Sequence, residues 1–567
     1  MKNNVKKILV VVFILGIIVS TASLSQARRE VSPYDNVIVL VPDGCNQNIQ
    51  TLARWYSDEP LVLDSMVSGS VSTYMANSII TGSAAAATAF ATGHKTSVRF
   101  LGVGPRTDDL LTGFEPTAAP YAPIASVLEG SKLNGKAVGL IATSRISHAT
   151  PAAYACHIDD RGKDNDIMEN MVYEDIDVVF GGGFRHLIND TDSYTTTFGD
   201  TWGGKRTDGQ NLYQVLLDRG YSFVDNEDDM DSLTSGPVWG MFDDSHMDPE
   251  MDRETLHPTQ PSLADMTAKA IQLLSKDPEG FFLMVEGSQI DWAGHANDGA
   301  YMVTDFIEFD EAVKVAVNFA KSDKRTLVLV FPDHNTGGMT LGNYGPGGAY
   351  THVTYEELVE PLKGMTMSSG ALAGKVDSLT ISGVKDAISE YWNINISNDS
   401  AQKILDLEAE LGLSYAIAHI VSMEYTHIGW TTFGHNGGDV PLWSYSSHPG
   451  RGFSGVSGFY DNTELAYLAA EALDINLDST TNELFVEVSE VLDDTQWTVE
   501  DSTGDNPEIV IQLADGNEAR INAGSDVIRI NGSTYTQLKG IVVYAPMTGQ
   551  VWIPQDGWNY LEAYGFN

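Results

Sequence analysis

The stretch GFFLMVEGSQID, residues 280–291, decides the fold class of this chain. Its first half is a continuous apolar run, and its second half carries Glu286 and Asp291. A continuous apolar run, as opposed to an alternating one, is typical of a strand buried on both faces of a parallel sheet. Polar side chains directly after such a strand lie at the carboxyl edge of the sheet, where open α/β sheets bind ligands. The stretch therefore predicts one buried parallel strand with functional side chains at its end.

Other stretches repeat the pattern: NVIVLVPDG (36–44) ends at Asp43, KAVGLIATSRISHAT (136–150) at His148 and Thr150, DIDVVFGGG (175–183) in glycines, RTLVLVFPDHN (325–335) at Asp333 and His334, and DVPLWSYS (439–446) returns to strand. Helical patterns lie between them, in PSLADMTAKAIQLLSK after a capping-box-like Ser262 and over 299–320. Alternation of buried strands and helices predicts an α/β protein, a three-layer α/β/α sandwich around a mostly parallel sheet.

Two regions interrupt this alternation. Residues 345–427 hold helix-like pieces such as NDSAQKILDLEAELGL and are interpreted as an inserted, cap-like region. After about residue 485 the sequence alternates polar and apolar residues between turn signals, which predicts a small β domain over 485–567. The catalytic domain is predicted over 28–484.

The first residues read as a secretory signal. Lys6 and Lys7 precede the apolar run ILVVVFILGIIVS, and small residues follow at Ser25 and Ala27. The run is shorter than the ~20 apolar residues that a membrane helix needs. We therefore expect residues 1–27 to be cleaved, with no stable membrane span afterwards. The mature protein would then be exported and be periplasmic, at the cell surface or extracellular. Retention of the segment as an anchor is the alternative.

The composition limits the function classes. Hydrophobic residues make up 43% of the 567 positions and charged residues 19%, as in a globular protein. The net charge of −44 repels phosphate backbones and disfavours nucleic-acid binding. Two cysteines, Cys45 and Cys156, do not make a disulfide scaffold, and the sequence leaves their pairing open.

Ser83 stands at the start of the Ala-rich stretch SAAAATAFAT. A serine there commonly serves only as a helix N-cap. The same position suits a serine that becomes a phosphoester, because the amides and dipole of a helix N-terminus favour negative charge.

Histidine and carboxylate pairs add to this signal. Asp291 and His295 in EGSQIDWAGH are four residues apart, which places them on one face of a helix and allows both to ligate zinc. Asp333 and His334 form a second pair, and His435 lies in the glycine-rich segment GHNGGDVP. Each pair alone also fits a turn or a solvated helix start. Their joint occurrence after predicted strands favours a metal site.

With these motifs together, the chain resembles the alkaline phosphatase family. The shared segments, in order, are VPDG around Asp43, GSAAAATAFATGHKT, HATPAAYACHIDDR, EGSQIDWAGH, PDHNTGG and WTTFGHNGGDVPLWSY. The resemblance covers roughly residues 35–480. It implies a phosphomonoesterase that forms a phosphoserine intermediate and takes small phosphate monoesters, and it leaves open association into a homodimer.

The resemblance also implies roles for individual residues. Ser83 matches the nucleophile, and Arg161 the arginine that binds phosphate. Two Zn²⁺ and one Mg²⁺ are implied per chain, with three sets of ligands: Asp291, His295 and His435 for the first zinc; Asp43, Asp333 and His334 for the second; Asp43, Thr150 and Glu286 for the third site.

Some positions depart from the best-known bacterial member. Gly82 stands where that enzyme has Asp, His148 where it has Asp, and Trp292 where it has Lys, which leaves the positioning of Arg161 and the identity of the third metal open. His148 and Trp292 would act beside the metal ligands. GMFDD (240–244) resembles the start of a calcium site in animal enzymes, yet Gln260 replaces one of its acids, so no calcium is predicted. His352 and His427 are the alternatives to His435.

Other classes fit less well. A sulfatase would carry a C/S-x-P-x-R motif, whereas Ser83 is followed by three alanines. A phosphodiesterase of the same superfamily more often has a Thr nucleophile and lacks Arg161. A Ser-His-Asp hydrolase would show G-x-S-x-G, which TGSAA does not match, and FGGGF lacks the G-x-G-x-x-G pattern of a dinucleotide site. A non-catalytic surface protein acting through its β domain stays as the alternative from a different class.

Overall fold

The computed structural model describes residues 34–344, 350–447, 455–514, 516–532 and 534–566. The signal sequence predicted for residues 1–27 lies outside the described residues. Within the described ranges, no helix is both long enough and apolar enough to cross a membrane. Cys45 and Cys156 are both buried free thiols.

The strands are β1 (Asn36–Pro42), β2 (Val67–Ser72), β3 (Ala137–Arg145), β4 (Val178–Gly182), β5 (Ser193–Thr195), β6 (Thr201–Gly203), β7 (Ser222–Val224), β8 (Val238–Met241), β9 (Phe281–Gly287), β10 (Thr326–Val330), β11 (Asn335–Thr336), β12 (Thr340–Leu341), β13 (Ile428–Gly429), β14 (His435–Asn436), β15 (Val440–Ser446), β16 (Gly458–Asp461), β17 (Val486–Glu487), β18 (Trp497–Glu500), β19 (Glu508–Gln512), β20 (Glu518–Asn522), β21 (Val527–Ile530), β22 (Thr534–Gln537), β23 (Val543–Ala545) and β24 (Gln550–Ile553).

The α-helices are α1 (Gln47–Tyr56), α2 (Ser83–Thr92), α3 (Val127–Leu133), α4 (Ala149–Ala152), α5 (Asp164–Tyr173), α6 (Leu212–Asp218), α7 (Glu227–Ser232), α8 (Glu250–Leu256), α9 (Leu263–Leu274), α10 (Gln289–Ala296), α11 (Gly299–Asp323), α12 (Tyr355–Lys363), α13 (Ser369–Ala373), α14 (Ile381–Trp392), α15 (Asn398–Leu411), α16 (Leu413–Tyr425), α17 (Asn462–Ala472), α18 (Leu477–Leu484), α19 (Val488–Val491) and α20 (Gln555–Glu562). Short 3₁₀ helices cover Leu63–Ser65, Phe184–His186 and Tyr350–His352.

A central sheet of ten strands organises the molecule, in the order β16-β2-β15-β10-β1-β9-β3-β4-β8-β7. Every neighbouring pair is parallel except those of β15, which runs antiparallel to both β2 and β10. In register, Val37 of β1 pairs with Leu327 of β10 and with Phe282 of β9. The mostly parallel sheet predicted from the apolar runs is confirmed.

Both faces of this sheet are buried, as the continuous apolar runs predict. Along β1, Val37 and Val39 belong to a hydrophobic core on one face, whereas Ile38 and Leu40 belong to a second core on the other. Helices α2, α3, α5 and α17 supply the first core, and α1, α9, α10 and α11 supply the second. Two helical layers therefore enclose one sheet, which confirms the three-layer α/β/α architecture.

The predicted insertion is a group of helices, α12 to α16, that leaves and rejoins the catalytic domain at one place. Thr340 of β12 pairs with Gly429 of β13, and Thr336 of β11 pairs with His435 of β14. These two short antiparallel ladders hold the two ends of the insertion together. As a result, the chain before the insertion lies directly beside the chain after it.

The C-terminal β region has its own core and also packs on the catalytic region. Strands β18 to β22 form a five-stranded antiparallel sheet, and β17, β24 and β23 form a three-stranded one. A separate hydrophobic cluster lies within this region and includes Ile509, Ile521 and Trp558. Val543 and Trp552, however, join the core of the catalytic region. The extra small β domain is confirmed, and the boundary at 485 stays a prediction.

Removal of residues 486–567 should give a shortened chain that is soluble and partly active but melts at a lower temperature. The functional side chains described below all precede residue 485, and the β region has its own core. The lower melting temperature follows because Phe485 and its apolar neighbours lose the cover of Val543 and Trp552. Thermal unfolding and turnover of both chains measure this. An insoluble or wholly inactive shortened chain would show instead that the β region is integral to the catalytic fold.

Candidate active site

Ser83 is the first residue of α2, and Gly82 occupies the capping position before it. The cap position therefore has no side chain, and the Ser83 hydroxyl does not serve as an N-cap. Ser83 is 2% exposed, and its Oγ lies 3.2 Å from Nε2 of His334. The positive end of α2 favours negative charge on this oxygen. The capping interpretation of Ser83 is wrong, and its hydroxyl faces the carboxyl edge of the sheet.

Asp291, His295 and His435 converge into one group of candidate ligands. Nε2 of His295 lies 3.4 Å from Oδ2 of Asp291, and Nε2 of His435 lies 3.6 Å from Oδ1 of Asp291. The two Nε2 atoms are 3.3 Å apart. Asp291 and His295 come from one face of α10, whereas His435 arrives from β14 through its pairing with Thr336.

Backbone carbonyls orient both imidazoles of this group. Nδ1 of His295 lies 2.6 Å from the carbonyl oxygen of Phe433, and Nδ1 of His435 lies 2.9 Å from that of Thr81. Because a carbonyl oxygen only accepts, both Nδ1 atoms carry the proton. In the neutral imidazoles each Nε2 then carries the lone pair, and the two Nε2 atoms lie 3.4 and 3.6 Å from the Asp291 carboxylate. Imidazoles held this way through the other ring nitrogen are typical of metal ligands.

A second group surrounds His334, which contacts Ser83. Nε2 of His334 lies 3.0 Å from Oδ2 of Asp333 and 3.7 Å from Oδ1 of Asp43. Asp291 also lies within ligand distance of Asp43 and His334, so it joins the two groups. The His334 ring stacks on the His435 ring with centroids 3.6 Å apart. The two groups are therefore directly adjacent.

Several buried oxygens near Ser83 form no hydrogen bond among the described residues, although one of them, Oδ2 of Asp333, is ion-paired with His334: both carboxylate oxygens of Asp43, Oδ2 of Asp333, Oε1 of Glu286 and Oγ of Thr150. All four residues are at most 1% exposed. A buried acceptor without a partner is costly, and such groups ordinarily pair or coordinate a cation. The oxygen-rich set Asp43, Thr150 and Glu286 fits a hard cation, and the imidazole-containing groups fit zinc.

The pKa values of this cluster reflect the same crowding of charge. Burial, followed by the negative charges of Asp333 and Asp291, raises the pKa of the Asp43 carboxyl well above its usual range. Burial, followed by the charge of His334, lowers the pKa of His435 to about 4. His435 is therefore neutral at physiological pH, which is the form that ligates metals.

Arg161 lies beside the cluster and contacts His148. Its Nη2 is 2.8 Å from Nε2 of His148. Because a guanidinium only donates, this imidazole nitrogen accepts. Burial, followed by the charge of Arg161, lowers the pKa of His148 well below its usual range. Gly82 has no side chain that could orient Arg161. His148 provides an orienting contact to Arg161, whose positioning could not be predicted from the sequence.

The structure reveals two further residues here that the sequence analysis missed, His246 and Arg145. The His246 ring lies edge-on to Trp292 with centroids 4.3 Å apart, and Nη1 of Arg145 lies 2.7 Å from its Nε2. Trp292 in turn meets His148 edge-on at 5.7 Å. Arg145 is the last residue of β3, and its position at the end of a predicted strand could have marked it as a candidate site residue.

All predicted ligands thus lie in one region at the carboxyl edge of the sheet, close to Ser83 and Arg161. The alternatives to His435 do not join it: His352 is exposed, and neither His352 nor His427 belongs to a ligand group in the described part of the chain.

The site combines a buried serine at a helix N-terminus with carboxylates and imidazoles at the ends of parallel strands. This arrangement is typical of α/β hydrolytic enzymes. Comparison with known proteins agrees. The family model described as "Alkaline phosphatase" matches residues 34–475. Alkaline phosphatase 3 of Bacillus subtilis is 34% identical over 461 residues, which is 78% of this chain and 89% of that protein. The repressible alkaline phosphatase of Saccharomyces cerevisiae is 30% identical over 79% of this chain and 82% of that protein.

Solved structures show the same likeness. The Thermus thermophilus alkaline phosphatase matches with a TM-score of 0.66 and 26% identity, over 78% of this chain and 92% of that one. A cold-active alkaline phosphatase from a Shewanella species matches with a TM-score of 0.63 and 26% identity, over 77% of this chain and 99% of that one. The chain therefore belongs to the alkaline phosphatase family and is an enzyme of that family.

Proposed function

We propose that this enzyme hydrolyses phosphate monoesters through a phosphoserine intermediate on Ser83 and requires bound metal ions. The observation that carries the proposal is the set of buried oxygens that form no hydrogen bond, on Asp43, Asp333, Glu286 and Thr150 near the serine. Such a set is costly without cations. With cations, it becomes a positive site for a phosphate dianion inside a chain of net charge −44.

Three sets of residues would hold the metals. Asp291, His295 and His435 would hold one Zn²⁺; Asp43, Asp333 and His334 the other; Asp43, Thr150 and Glu286 a Mg²⁺. When bound, such ions stabilise the charge that develops on the entering and leaving oxygens of an in-line displacement. Asp291, which lies between the first two sets in the structure, also bridges them electrostatically.

In the first step Arg161 holds the phosphoryl group through two N–H donors, an arrangement that its planar fork allows. Oγ of Ser83 bonds to phosphorus as its proton leaves, and the bond from phosphorus to the ester oxygen breaks. The departing oxygen takes up a proton and leaves as the alcohol. The N-terminus of α2 stabilises the phosphoserine that forms.

In the second step a water molecule attacks phosphorus from the side that the alcohol vacated. The bond to Oγ of Ser83 breaks, Oγ takes up a proton that the attacking water releases, and inorganic phosphate leaves. Two in-line displacements return the original configuration at phosphorus.

We further infer that the enzyme acts outside the cytoplasm, as the signal-like residues 1–27 imply. Its substrates would be small phosphate monoesters. Nucleic acids would be repelled by the net charge of −44. Association into a homodimer is proposed from the family resemblance alone.

A phosphomonoesterase assay with a chromogenic aryl phosphate tests the proposal. The purified enzyme should be active, lose activity as a chelator removes its metals, and regain it with Zn²⁺ and Mg²⁺ together. Metal content per chain should fall and recover in parallel. Full activity in protein shown to be free of metal would contradict the metal requirement, and no activity in fully loaded protein would contradict the proposed function.

Replacement of Trp292 by lysine should tighten product inhibition by inorganic phosphate. Trp292 follows the candidate ligand Asp291 and offers an indole N–H but no charge. A lysine there would place a positive charge near the bound phosphate dianion. We expect the inhibition constant to fall about tenfold, which corresponds to about 1.4 kcal/mol. Steady-state inhibition by phosphate at constant ionic strength measures it, and Trp292→Gln, which is uncharged, is the matched control. An unchanged constant in Trp292→Lys contradicts the charge argument.

The change His148→Asp, added to Trp292→Lys, should increase the preference of the third site for magnesium. His148 is buried beside Arg161, and a carboxylate there restores an oxygen ligand type that magnesium prefers. Activity titrated with Mg²⁺ against Co²⁺ in metal-depleted enzyme measures the preference. If Trp292→Lys and the double variant with His148→Asp show the same preference for Mg²⁺ over Co²⁺, residue 148 does not influence the third site.

A further inference from the structure

A groove opens beside the phosphoryl site, between α10 and the inserted helices. Its volume is about 340 Å³. Trp292 and Ala296 of α10 form its floor, with Leu256 of α8 at one side. Gly370 of α13 and Tyr415 of α16 form the opposite side. Helices α13 and α16 of the predicted insertion therefore build one wall of a groove whose floor belongs to the catalytic domain.

The floor of the groove continues directly from the candidate active site. Trp292 follows Asp291 in the chain, and Ala296 follows His295, so one helix carries both the ligands and the floor. Tyr415 stacks on Phe433 at 6.3 Å and 14°. The carbonyl oxygen of Phe433 is the one that orients His295. A molecule in the groove would touch Tyr415, whose ring stacks on the residue that orients His295, and Trp292, which meets His148 edge-on beside Arg161.

The open surface of this groove is mainly apolar, because its polar side chains are already engaged. The Asp252 carboxylate accepts the Ser368 N–H at 3.0 Å, and the Tyr301 hydroxyl donates to Gln289. Leu256, in contrast, is 46% exposed although it is a large apolar side chain. An exposed leucine beside an indole and a phenol ring favours an uncharged apolar or aromatic group.

The direction of the displacement selects the occupant. The entering and leaving oxygens lie on opposite sides of phosphorus, so the organic group of a bound ester points away from Ser83 and α2. Ser83 contacts His334, and the His334 ring stacks on His435, which belongs to the ligand group Asp291, His295 and His435. That group therefore lies on the far side of His334 from Ser83. An ester oxygen on that side of phosphorus directs its organic group over α10, where the groove begins.

We propose that this groove is the leaving-group subsite and binds the uncharged, apolar or aromatic part of the phosphate monoester. The inference rests on the proposed function. The enzyme then selects among monoesters by the alcohol, and the insertion sets that selectivity through α13 and α16. Substrates with an apolar chain or an aromatic ring are favoured over esters of equally acidic but small or charged alcohols.

A series of n-alkyl phosphates from ethyl to hexyl tests the proposal, because the acidity of the alcohol barely changes along it. In a half-open groove, kcat/KM should rise about twofold for each added methylene. Gly370→Trp should flatten this dependence by filling the groove. A Cβ at Gly370 meets only Oγ of Ser368, at 3.5 Å, so a side chain can begin there without a backbone clash. Ala373→Trp adds the same ring to the same helix outside the groove and should keep the dependence.

A second pair of variants separates a binding role from a structural one. Tyr415→Ala should weaken the chain-length dependence, and Tyr415→Phe, which retains the ring, should restore it. In each variant the ratio of kcat/KM for hexyl phosphate to kcat/KM for ethyl phosphate is the quantity compared, because a change in the phosphoryl-transfer step affects both substrates and cancels in the ratio.

The outcomes distinguish failure of the proposed subsite from failure of the proposed function. If ethyl phosphate is hydrolysed but kcat/KM does not rise with chain length, or if Gly370→Trp leaves the rise intact, the subsite is refuted while the proposed function stands. If no alkyl phosphate is hydrolysed by metal-loaded enzyme, the proposed function itself fails. A change in sedimentation of Gly370→Trp with an intact rise would show that the groove contacts a second copy of the chain and not the substrate.

Discussion

Replacement of Ser83 by alanine should reduce kcat for phosphate monoesters by at least about 10³-fold, because a nucleophile acting in a coupled site carries most of the rate enhancement. The fold should survive, since the helix cap is Gly82 and the change removes one buried oxygen. Zinc content should also survive, because Ser83 contacts His334 without being one of the predicted ligands. Turnover, metal content and acid-stable phosphate on the quenched enzyme are the three measurements.

The neighbouring hydroxyl provides the matched control. Thr81 is 2% exposed, and its hydroxyl donates to the Gly82 carbonyl at 3.1 Å, so Thr81→Ala removes a buried hydroxyl two residues away. Its backbone carbonyl, which orients His435, is unaffected. Thr81→Ala should retain the phosphoenzyme that Ser83→Ala loses. Phosphate recovered on any residue other than Ser83 in the wild-type enzyme would disprove the assignment.

Replacement of His435 by alanine should remove one zinc per chain and lower kcat/KM by about 10²-fold or more, since it deletes one of three converging ligands. Its Nε2 lies 3.6 Å from Asp291 and 3.3 Å from Nε2 of His295. No other histidine of the described residues joins this group, so a substitute ligand is lacking. Metal content by atomic spectroscopy, with kcat/KM at saturating and limiting zinc, measures the effect.

His352→Ala and His427→Ala are the controls, because they remove the two histidines that the sequence offers as alternatives to His435. His352 is exposed, and the backbone carbonyl of His427, which accepts the Gly342 N–H, is retained after substitution. Both variants should keep full zinc content and activity. Loss of zinc in either of them, with His435→Ala unchanged, would assign the ligand to the other histidine.

The prediction of the fold succeeded where the signal was local. The runs 37–42 and 281–285 are apolar at every position, and a strand with that pattern must be buried on both faces. Helices were predicted equally directly: the cap at Ser262 precedes α9, and the pattern over 299–320 became α11, which continues to Asp323. Periodicity and capping depend on neighbours within a few residues, and the sequence displays them.

The candidate site residues also fall into two sets: those whose proximity follows from local spacing, and those whose proximity depends on the order of the strands. Asp291 and His295 share one face of α10 because they are four residues apart, and this needed no tertiary structure. Asp43 and Asp333 follow neighbouring parallel strands, β1 and β10, so their proximity follows once the strand order is known. The hydrophobic periodicity of either segment does not predict this strand order.

Local patterns in the sequence predict the apolar strands, the polar residues at their ends and the helical face that carries Asp291 and His295. The motif around His435 marks it as a candidate ligand, but its contact with Asp291 depends on folding across the insertion, where Thr336 pairs with His435. Likewise, only packing brought His148 to Arg161 and Tyr415 beside Trp292. The physical reason is that local patterns report backbone conformation and burial, whereas contacts between distant segments depend on how whole elements pack together.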